Sequence, residues 1–326
     1  MMKVKRTTWT RLLLRILVPA VLGCAALSIA VDLMVVRKLT HPLRRKAATV
    51  PQDYLEISNV QLPWSDEQWS TADATTHGWL LRCAAGSPAI ILSHGYGAGA
   101  NRSDLLDLGV DLWRAGFTVL LYDLRGHGDN TADWSSLGDY EADDLLAALT
   151  YLKSVKDSTG NILVDPNRIG LYGVSVGGYA SLVAAARDSS VRAVAADSVY
   201  PTPDSFARIL TKQQFGVSNE MINTVVEWGL RANFTSHYNT TSAIQSVRGY
   251  QDVRLLLIGG ANDTDLRLST GIVYIQSLEP RQITEVTSSR ITRLNGPDSK
   301  TYNQIIIDFF KSGNTAPQAA EANKKT

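Results

Sequence analysis

The feature of this chain that most restricts its fold is an alternation of short apolar runs with helix-like stretches. Six runs of five to seven residues follow one another: AIILS at 89–93, TVLLYD at 118–123, RIGLYG at 168–173, VRAVAAD at 191–197, RLLLIG at 254–259 and ITEVT at 283–287. Most are apolar nearly throughout, which is typical of strands that are buried on both faces. Helical patterns occupy 101–115, 137–153, 176–187 and 300–311. Strands that alternate with helices predict an α/β fold with a parallel sheet covered on both sides.

Three segments depart from this alternation. Residues 47–75 indicate a linker followed by an opening hairpin, residues 200–250 are helical in pattern and rich in aromatic side chains, and residues 312–326 are polar. A polar tail of this kind cannot bury enough apolar surface to fold, so we expect 312–326 to be disordered.

The charge of the chain is divided between a basic end and an acidic body. Although the formal net charge is +1, residues 1–46 contain ten of the 32 Lys and Arg residues and a single acid, Asp32, so the rest of the chain is mildly acidic. An acidic body argues against a nucleic-acid partner. The two cysteines, Cys24 and Cys83, exclude a disulfide framework and a Cys-rich metal site, and no cluster of His and Asp has metal-ligand spacing. We therefore expect neither a metal nor a cofactor.

The basic end encloses a candidate transmembrane segment. Residues 16–36 are apolar apart from Asp32, and at about 1.5 Å per residue they are just long enough to span the hydrocarbon core. Basic residues flank this segment at 1–15 and again within 37–53, which we interpret as a linker. A retained signal-anchor is favoured, while a cleaved signal peptide ending near Ala30 and a lipoprotein box at Cys24 are the alternatives. We expect a single-pass membrane protein with its body outside the cytoplasm, although basic residues on both flanks leave the orientation poorly determined.

A Gly-x-Ser-x-Gly sequence lies where the third apolar run gives way to a helical pattern. It consists of Gly173, Ser175 and Gly177 with two valines between them. In a nucleophile elbow the turn is so tight that the residues two before and two after the serine must lack side chains. The helix that follows directs its N-terminal N–H groups at any oxyanion formed there. Ser175 is therefore the candidate nucleophile, and an ordinary Gly-Ser turn is the alternative.

Two further motifs follow neighbouring runs of the predicted sheet. The sequence HGYG at 94–97 comes after the first run, and DLRGHG at 123–128 overlaps the end of the second. Because the carboxyl ends of parallel strands meet at one edge of a sheet, we expect HGYG to lie beside the elbow. The backbone N–H groups of Tyr96 and Val176 would then form an oxyanion hole with two donors.

With these motifs and a late GGANDTD at 259–265, the chain resembles the α/β-hydrolase family, in particular membrane-anchored bacterial members similar to the serine aminopeptidase and lysophospholipase-like group. The motifs follow the family's order over roughly 54–311. The resemblance implies a three-layer fold with a mostly parallel eight-stranded sheet, a helical cap insertion over about 200–250, and hydrolysis of ester or amide bonds. It also implies that His127 is a scaffold residue and that Asp263 orients the catalytic histidine. Asp265 competes for that role, and either aspartate could instead cap a helix.

The histidine that this family places after its last strand is missing here. The five histidines are at 41, 77, 94, 127 and 237, and the interval 288–300 contains none. The family pattern puts Ile291 at the histidine position, and an isoleucine can neither accept nor return a proton. His94 and His127 belong to loops at the catalytic edge, so either is a candidate for a displaced base. His77 and His237 are further candidates, and each of these four histidines also has a structural explanation.

The sequence therefore leaves several hypotheses for function open. The first is a membrane-anchored serine hydrolase of a small apolar ester or amide, with Ser175 as nucleophile, Asp263 as acid and a displaced base. The second is a catalytically inactive hydrolase-fold protein that acts as a binding or scaffold module at the membrane. A transferase-like enzyme that acylates Ser175 and deacylates slowly is the third. Large apolar side chains in the 200–250 stretch either line an apolar substrate pocket or form the core of the cap itself; they are Phe206, Phe215, Met221, Trp228, Phe234 and Tyr238.

Overall fold

The sheet in the computed structural model has eight strands in the order β1-β2-β4-β3-β5-β6-β7-β8. The strands are β1 (Trp64–Ser70), β2 (Thr75–Leu81), β3 (Ser87–Ser93), β4 (Thr118–Tyr122), β5 (Val164–Val174), β6 (Val191–Asp197), β7 (Arg254–Gly259) and β8 (Ile283–Thr287). Neighbouring strands are parallel, except that β2 runs antiparallel to both β1 and β4. The structure describes residues 5–47, 51–52, 62–238, 241–250, 252–259, 283–287 and 299–314. The predicted α/β fold with a mostly parallel eight-stranded sheet is confirmed.

Helices lie on both sides of this sheet. They are α1 (Lys5–Thr40), α2 (Leu106–Arg114), α3 (Asp139–Ser154), α4 (Val176–Arg187), α5 (Pro203–Phe215), α6 (Glu220–Phe234), α7 (Ala243–Arg248) and α8 (Ser299–Asn314). Successive residues of β3 point to opposite faces, as the pleat of a strand requires. Ala89 and Ile91 join a core with α3 and α4, whereas Ile90 and Leu92 join a core with α2 and α8. The molecule therefore has the three layers that the apolar strands predicted.

The insertion predicted at 200–250 is helical and lies between β6 and β7. It contains α5, α6, α7 and a short 3₁₀ turn at Thr235–His237. Helix α5 begins at a Thr202 cap followed by Pro203, and it ends at Gly216, whose φ of 68° is the left-handed conformation that favours glycine. We call α5, α6 and α7 the cap.

The N-terminal helix α1 is longer than the predicted segment 16–36, and its last turn packs on the body. Over Arg15–Thr40 it is long and apolar enough to cross a membrane. Val36, Leu39 and Thr40 are buried, and the backbone N–H of Ser135 donates to Thr40 O at 2.7 Å. The first residues of the predicted linker 37–53 are therefore helical. Because Leu39 is buried against the body, the helix continues past Arg37 and Lys38 to Thr40. Of the predicted disordered tail, residues 312–314 are helical, and 315–326 lie outside the described residues.

Candidate active site

The serine of the Gly-x-Ser-x-Gly motif stands in the turn between β5 and α4. Its backbone angles are φ 52° and ψ −114°, in a region that residues with a side chain rarely adopt. The turn is held by two hydrogen bonds, from Ser175 N to Asp197 O at 2.8 Å and from Tyr179 N to Ser175 O at 2.9 Å. Ser175 is half-buried, and its Oγ makes no hydrogen bond to a described residue. The strained turn thus presents a side-chain hydroxyl to which no described residue hydrogen-bonds.

Two glycines allow this turn to close. A Cβ on Gly173 would lie 2.1 Å from Gly177 O, and a Cβ on Gly177 would lie 2.4 Å from Ser93 O. Both contacts are with backbone atoms, which cannot swing aside as a flexible side chain could. The glycines of the motif are therefore required by the close approach of β3, β5 and α4, as expected for a nucleophile elbow.

The loop after β3 runs beside the elbow. Strands β3 and β5 are paired in parallel with Ser93 opposite Gly173, so the chain leaves both strands at the same edge of the sheet. The backbone N–H groups of Tyr96 and Val176 donate to no other described residue. Val176 is the first residue of α4, where a helix leaves its N–H groups without internal partners. The arrangement is compatible with the predicted oxyanion hole, which stays a prediction.

The side chain of Tyr96 is fixed on several sides. Its hydroxyl donates to Leu39 O at the end of α1, and its ring meets the rings of Phe206 in the cap and His127 at centroid distances of 5.7 and 5.3 Å. Burial raises the pKa of Tyr96 above its usual value. The residue that carries one proposed oxyanion donor is thus held by α1, by the cap and by the loop after β4.

The ring of His94 is fully engaged in backbone hydrogen bonds. Its Nδ1 lies 2.8 Å from Gly95 O, and its Nε2 lies 3.1 Å from the backbone N of Leu124. Because an N–H can only donate, Nε2 is the acceptor and Nδ1 carries the proton. Burial lowers the pKa of His94 from 6.5 to about 4. This ring is neutral near pH 7, and neither nitrogen is available to Ser175.

His127 is held in a similar way. Its Nδ1 lies 2.9 Å from Arg125 O, and its Nε2 accepts a longer hydrogen bond of 3.5 Å from Gly97 N. Burial and the adjacent His94 lower the pKa of His127 from 6.5 to about 3. The structure therefore argues against the hypothesis of a displaced base at His94 or His127. It is compatible with the scaffold role that the family resemblance implies for His127, because this ring braces the loop that carries Tyr96.

The other three histidines of the chain also lie within the described residues. His77 is on β2, which β4 and β3 separate from β5, so three strand spacings place it roughly 14 Å to the side of the elbow. His237 contacts Asp143 through Nε2 at 2.6 Å, and the Nδ1 of His41 lies 2.9 Å from Thr40 Oγ1 at the end of α1. No described histidine hydrogen-bonds to Ser175.

The DLRGHG segment is organised by Asp123. Its carboxylate accepts hydrogen bonds from the backbone N of Arg102 and of Asp129, both at 2.8 Å, and forms an ion pair with the Arg102 guanidinium. A Cβ on Gly128 would lie 2.1 Å from this carboxyl group. The motif is a compact structural loop that fixes His127 and, through it, the loop of Tyr96.

Asp197 is a buried acid near the elbow that belongs to none of the sequence motifs. It ends β6, its backbone O accepts from Ser175 N, and its Oδ2 accepts from the hydroxyl of Tyr302 at 2.6 Å. The hydroxyls of Tyr302 and Tyr172 are 2.8 Å apart, which links α8, β5 and β6. The only sequence signal for this acid is its position at the end of the VRAVAAD run. Asp263, Asp265 and Ile291 lie outside the described residues, so their predicted positions in the triad stay predictions.

Together these features define an α/β protein with a serine elbow, a candidate pair of backbone oxyanion donors and a helical cap, which is the architecture of serine hydrolases. The chain belongs to the family of the alpha/beta hydrolase fold, whose model matches residues 88–306.

Similar proteins include enzymes of acyl chemistry. The polyketide transferase grgF of a Penicillium species is 35% identical over 147 residues, which cover 44% of this chain and 47% of the transferase. The thiohydrolase apmlB of Arthrinium phaeospermum is 32% identical over 133 residues, 40% of each chain. The chain thus spans less than half the length of either of these two relatives. A solved esterase of Pyrococcus furiosus superposes with a TM-score of 0.64 over 84% of this chain and 97% of the esterase, and its 19% identity supports the fold alone.

Proposed function

We propose that this protein is a membrane-anchored serine hydrolase that accepts an apolar acyl group on Ser175 from an ester or a thioester. The observation that carries the proposal is the backbone of Ser175, held at φ 52° and ψ −114° by glycines that no other residue could replace. Such a conformation costs about 1–3 kcal/mol and persists where the surrounding structure imposes it, typically at functional sites. A simple structural turn would not need a serine in this position.

Acylation at this site relies on geometry more than on proton transfer. Ser175 Oγ attacks the carbonyl carbon, an Oγ–C bond forms, and the N–H groups of Tyr96 and Val176 hold the resulting oxyanion. The serine proton passes to solvent water, because no described histidine is hydrogen-bonded to Ser175. The tetrahedral intermediate then expels the leaving group and leaves an acyl-serine, which water hydrolyses to the free acid. Asp263 is the proposed acid of the family's triad, with Ile291 in place of its histidine.

A site in which no histidine hydrogen-bonds to Ser175 favours substrates with a good leaving group. A thiol has a pKa near 8.5, so a thiolate departs without being protonated first. An alkoxide is a poorer leaving group, and an amine must take up a proton before it can leave. We therefore rank the substrates as thioester first, oxygen ester second and amide last. The similarity to a protein named as a thiohydrolase supports this order.

Aromatic side chains beside the elbow support an apolar acyl group. The ring of Phe206 in α5 stacks on Tyr200 at 4.4 Å and meets the ring of Tyr96 edge-on at 5.7 Å. The cap therefore packs an aromatic ring against the loop of the proposed oxyanion hole. A pocket with apolar walls and a few polar groups is the usual environment for an acyl chain.

The proposed location is the membrane. Helix α1 supplies the anchor through residues 16–36, with residues 1–15 as its flank and 54–311 as the hydrolase domain on the outside of the cytoplasmic membrane. The basic residues that follow the helix support a retained anchor rather than a cleaved signal.

A second candidate function is a binding or scaffold module without catalysis. The hydrogen bonds that occupy both ring nitrogens of His94 and His127 favour it, because they remove the two histidines that sequence position makes most suitable as a base. In that case the elbow would bind a carbonyl compound without forming a covalent bond.

The two functions separate in one assay of the full chain in detergent. A thioester, an oxygen ester and an amide with the same acyl chain are compared on the wild type, on Ser175→Ala, and on Ser154→Ala, a control at an exposed position at the end of α3. We expect turnover in the order thioester, ester, amide, lost in Ser175→Ala and kept in Ser154→Ala. Folded protein without Ser175-dependent turnover of any of the three substrates would favour the binding module.

A further inference from the structure

The outer surface of the cap helix α6 carries a row of exposed apolar side chains. Met221 is 77% exposed, Val225 is 40% exposed and Trp228 is 69% exposed, and they follow one another at the i, i+4 and i+7 positions of one helix face. Ile222, 42% exposed, lies beside them. We call these four residues the α6 stripe. Met221 and Trp228 therefore belong neither to a substrate pocket nor to the core of the cap, unlike the buried Phe206, Phe234 and Tyr238.

The stripe contains no charged residue because the charged residues of α6 lie on a different face of the helix. Val226, Leu230 and Phe234 form its buried face and pack into the core. The charged residues of α6 all lie on another flank, where they pair with α5: Arg208 meets Glu227 at 2.6 Å and Glu220 at 2.9 Å, and Arg231 meets Asp204 at 2.5 Å. The helix thus has a core face, a charged face turned to α5, and a third, apolar face whose side chains remain 40% to 77% exposed.

The third face borders the N-terminal helix. A Cβ on Gly229 would lie 2.3 Å from Asp32 Oδ2, so α1 and α6 touch at this glycine. Gly229 is four residues after Val225 and seven after Ile222, which puts it on the same side of α6 as the stripe. Asp32, the one acid of the apolar segment, is turned to the cap rather than to the surroundings of α1, as expected for a charged residue within a membrane span.

The position of this contact along α1 sets the depth at which α6 would lie in a bilayer that α1 spans. Asp32 precedes the end of the predicted span at residue 36 by four residues, or roughly 6 Å at the rise of an α-helix. An interfacial amphipathic helix buries its apolar face about 5–10 Å into the boundary between headgroups and acyl chains. On α1 the neighbouring Leu33 and Met34 are exposed at the same level, and tryptophan, here Trp228, is enriched at this depth of a bilayer.

We propose that α6 is an interfacial helix and that the lipid bilayer that holds α1 also covers the α6 stripe. This inference rests on the proposed membrane anchoring and extends it to the cap. Because Tyr96 is bonded to Leu39 at the end of α1 and packs on Phe206 of the cap, the Ser175 site then opens next to the lipid surface. Its substrates are amphiphilic acyl compounds that enter from the bilayer rather than from water.

The proposal is tested with the full chain in lipid nanodiscs. Each protein variant carries an environment-sensitive fluorophore on a single cysteine. In a background of Cys24→Ala and Cys83→Ser, the label is placed at Val225→Cys in the stripe, at Leu22→Cys in the middle of α1, or at Ser158→Cys. Ser158 is exposed in the loop before β5, at the opposite edge of the sheet from Ser175. Quenching is measured with lipids that carry a quencher near the headgroup or along the acyl chain.

We expect lipid-borne quenchers to reduce the emission of labels at Val225 and Leu22 but not of a label at Ser158. At Val225, quenchers near the headgroup should be the most effective. A Leu22 label that is quenched beside a Val225 label that behaves like Ser158 would overturn the interfacial helix and leave the anchoring intact. A Val225 label whose emission indicates an apolar environment but which lipid-borne quenchers do not affect would also overturn it. A second copy or another protein would then cover the stripe. An unquenched Leu22 label would refute the anchoring itself. Ser175-dependent turnover is measured in a separate assay, so failure of the membrane contacts and failure of the hydrolase activity can be told apart.

Discussion

The nucleophile elbow and the pair of buried histidines lie at the same edge of the sheet but are built on opposite principles. Ser175 has a strained backbone and a hydroxyl that no described residue binds. His94 and His127 are almost completely buried, their rings lie 5.1 Å apart, and both nitrogens of each ring hydrogen-bond to backbone groups. One region stores strain around a hydroxyl that no described residue binds, and in the other all four ring nitrogens have hydrogen-bond partners. Proximity to a nucleophile therefore does not make a histidine a base; an unoccupied ring nitrogen is also needed.

The largest effect is expected where the elbow has no spare room. Gly177→Ala places a Cβ 2.4 Å from Ser93 O and 2.6 Å from His94 O, so backbone must shift, and we expect the free energy of unfolding to fall by about 4 kcal/mol. Gly97→Ala is the control, because a Cβ there meets nothing within 4 Å. Denaturant unfolding of both variants in detergent measures the difference. Equal stabilities would show that the elbow is looser than its geometry indicates.

The histidine pair makes stability depend on pH. The folded state holds the pKa of His94 at about 4, below its ordinary 6.5, because burial disfavours the charged ring. Below pH 6.5 the unfolded chain therefore binds a proton that the folded chain does not, and stability falls as the pH drops towards 4, by about 3 kcal/mol for this group. His94→Gln removes this titration, so its unfolding free energy should fall less steeply over the same range. Identical slopes for the two proteins would contradict a neutral, buried His94.

A histidine at position 291, where we predict the catalytic histidine of the family, should supply the proton transfer that His94 and His127 cannot. Ile291→His adds a general base and acid, a contribution of about 10²-fold or more to the rate. We expect this gain in ester turnover, together with a bell-shaped or sigmoidal pH profile that the wild type lacks. Ile291→Asn is the matched polar control without a titrating group. A gain that appears equally in both variants would mean that polarity, rather than proton transfer, was limiting.

The smallest predicted effect isolates the strain itself. Ser175→Gly relieves a φ of 52° that a side chain resists, so the free energy of unfolding should rise by about 1–2 kcal/mol. Ser175→Ala keeps a Cβ and should leave the stability close to that of the wild type. Thermal unfolding of the two variants compares them directly. A glycine variant no more stable than the alanine variant would show that the turn is not strained.

The sheet and the elbow could be predicted from the sequence because each depends on local pattern. AIILS and RLLLIG are too short and too continuously apolar for surface helices, and Gly173 and Gly177 mark the turn by the lack of side chains. The roles of His94 and His127 could not be predicted, since their partners Leu124 N and Gly97 N come from loops that only the fold brings together. The predicted triad positions Asp263 and Ile291 lie outside the described residues.

The cap shows the same limit. The aromatic content of 200–250 predicted either a pocket or a small core, and Phe206, Phe234 and Tyr238 are indeed buried. The exposure of Met221 and Trp228 depends on how α6 is rotated about its axis. That rotation is set by the packing of its buried face and by the contact of Gly229 with Asp32, which composition does not reveal.

The central claim, that Ser175 is a nucleophile, is tested most directly by mass spectrometry of the full chain after reaction with a fluorophosphonate. We expect one adduct, mapped to the peptide that contains Ser175, formed slowly in the wild type and absent from Ser175→Ala. No adduct on folded wild-type protein, or an adduct that persists in Ser175→Ala, would contradict it.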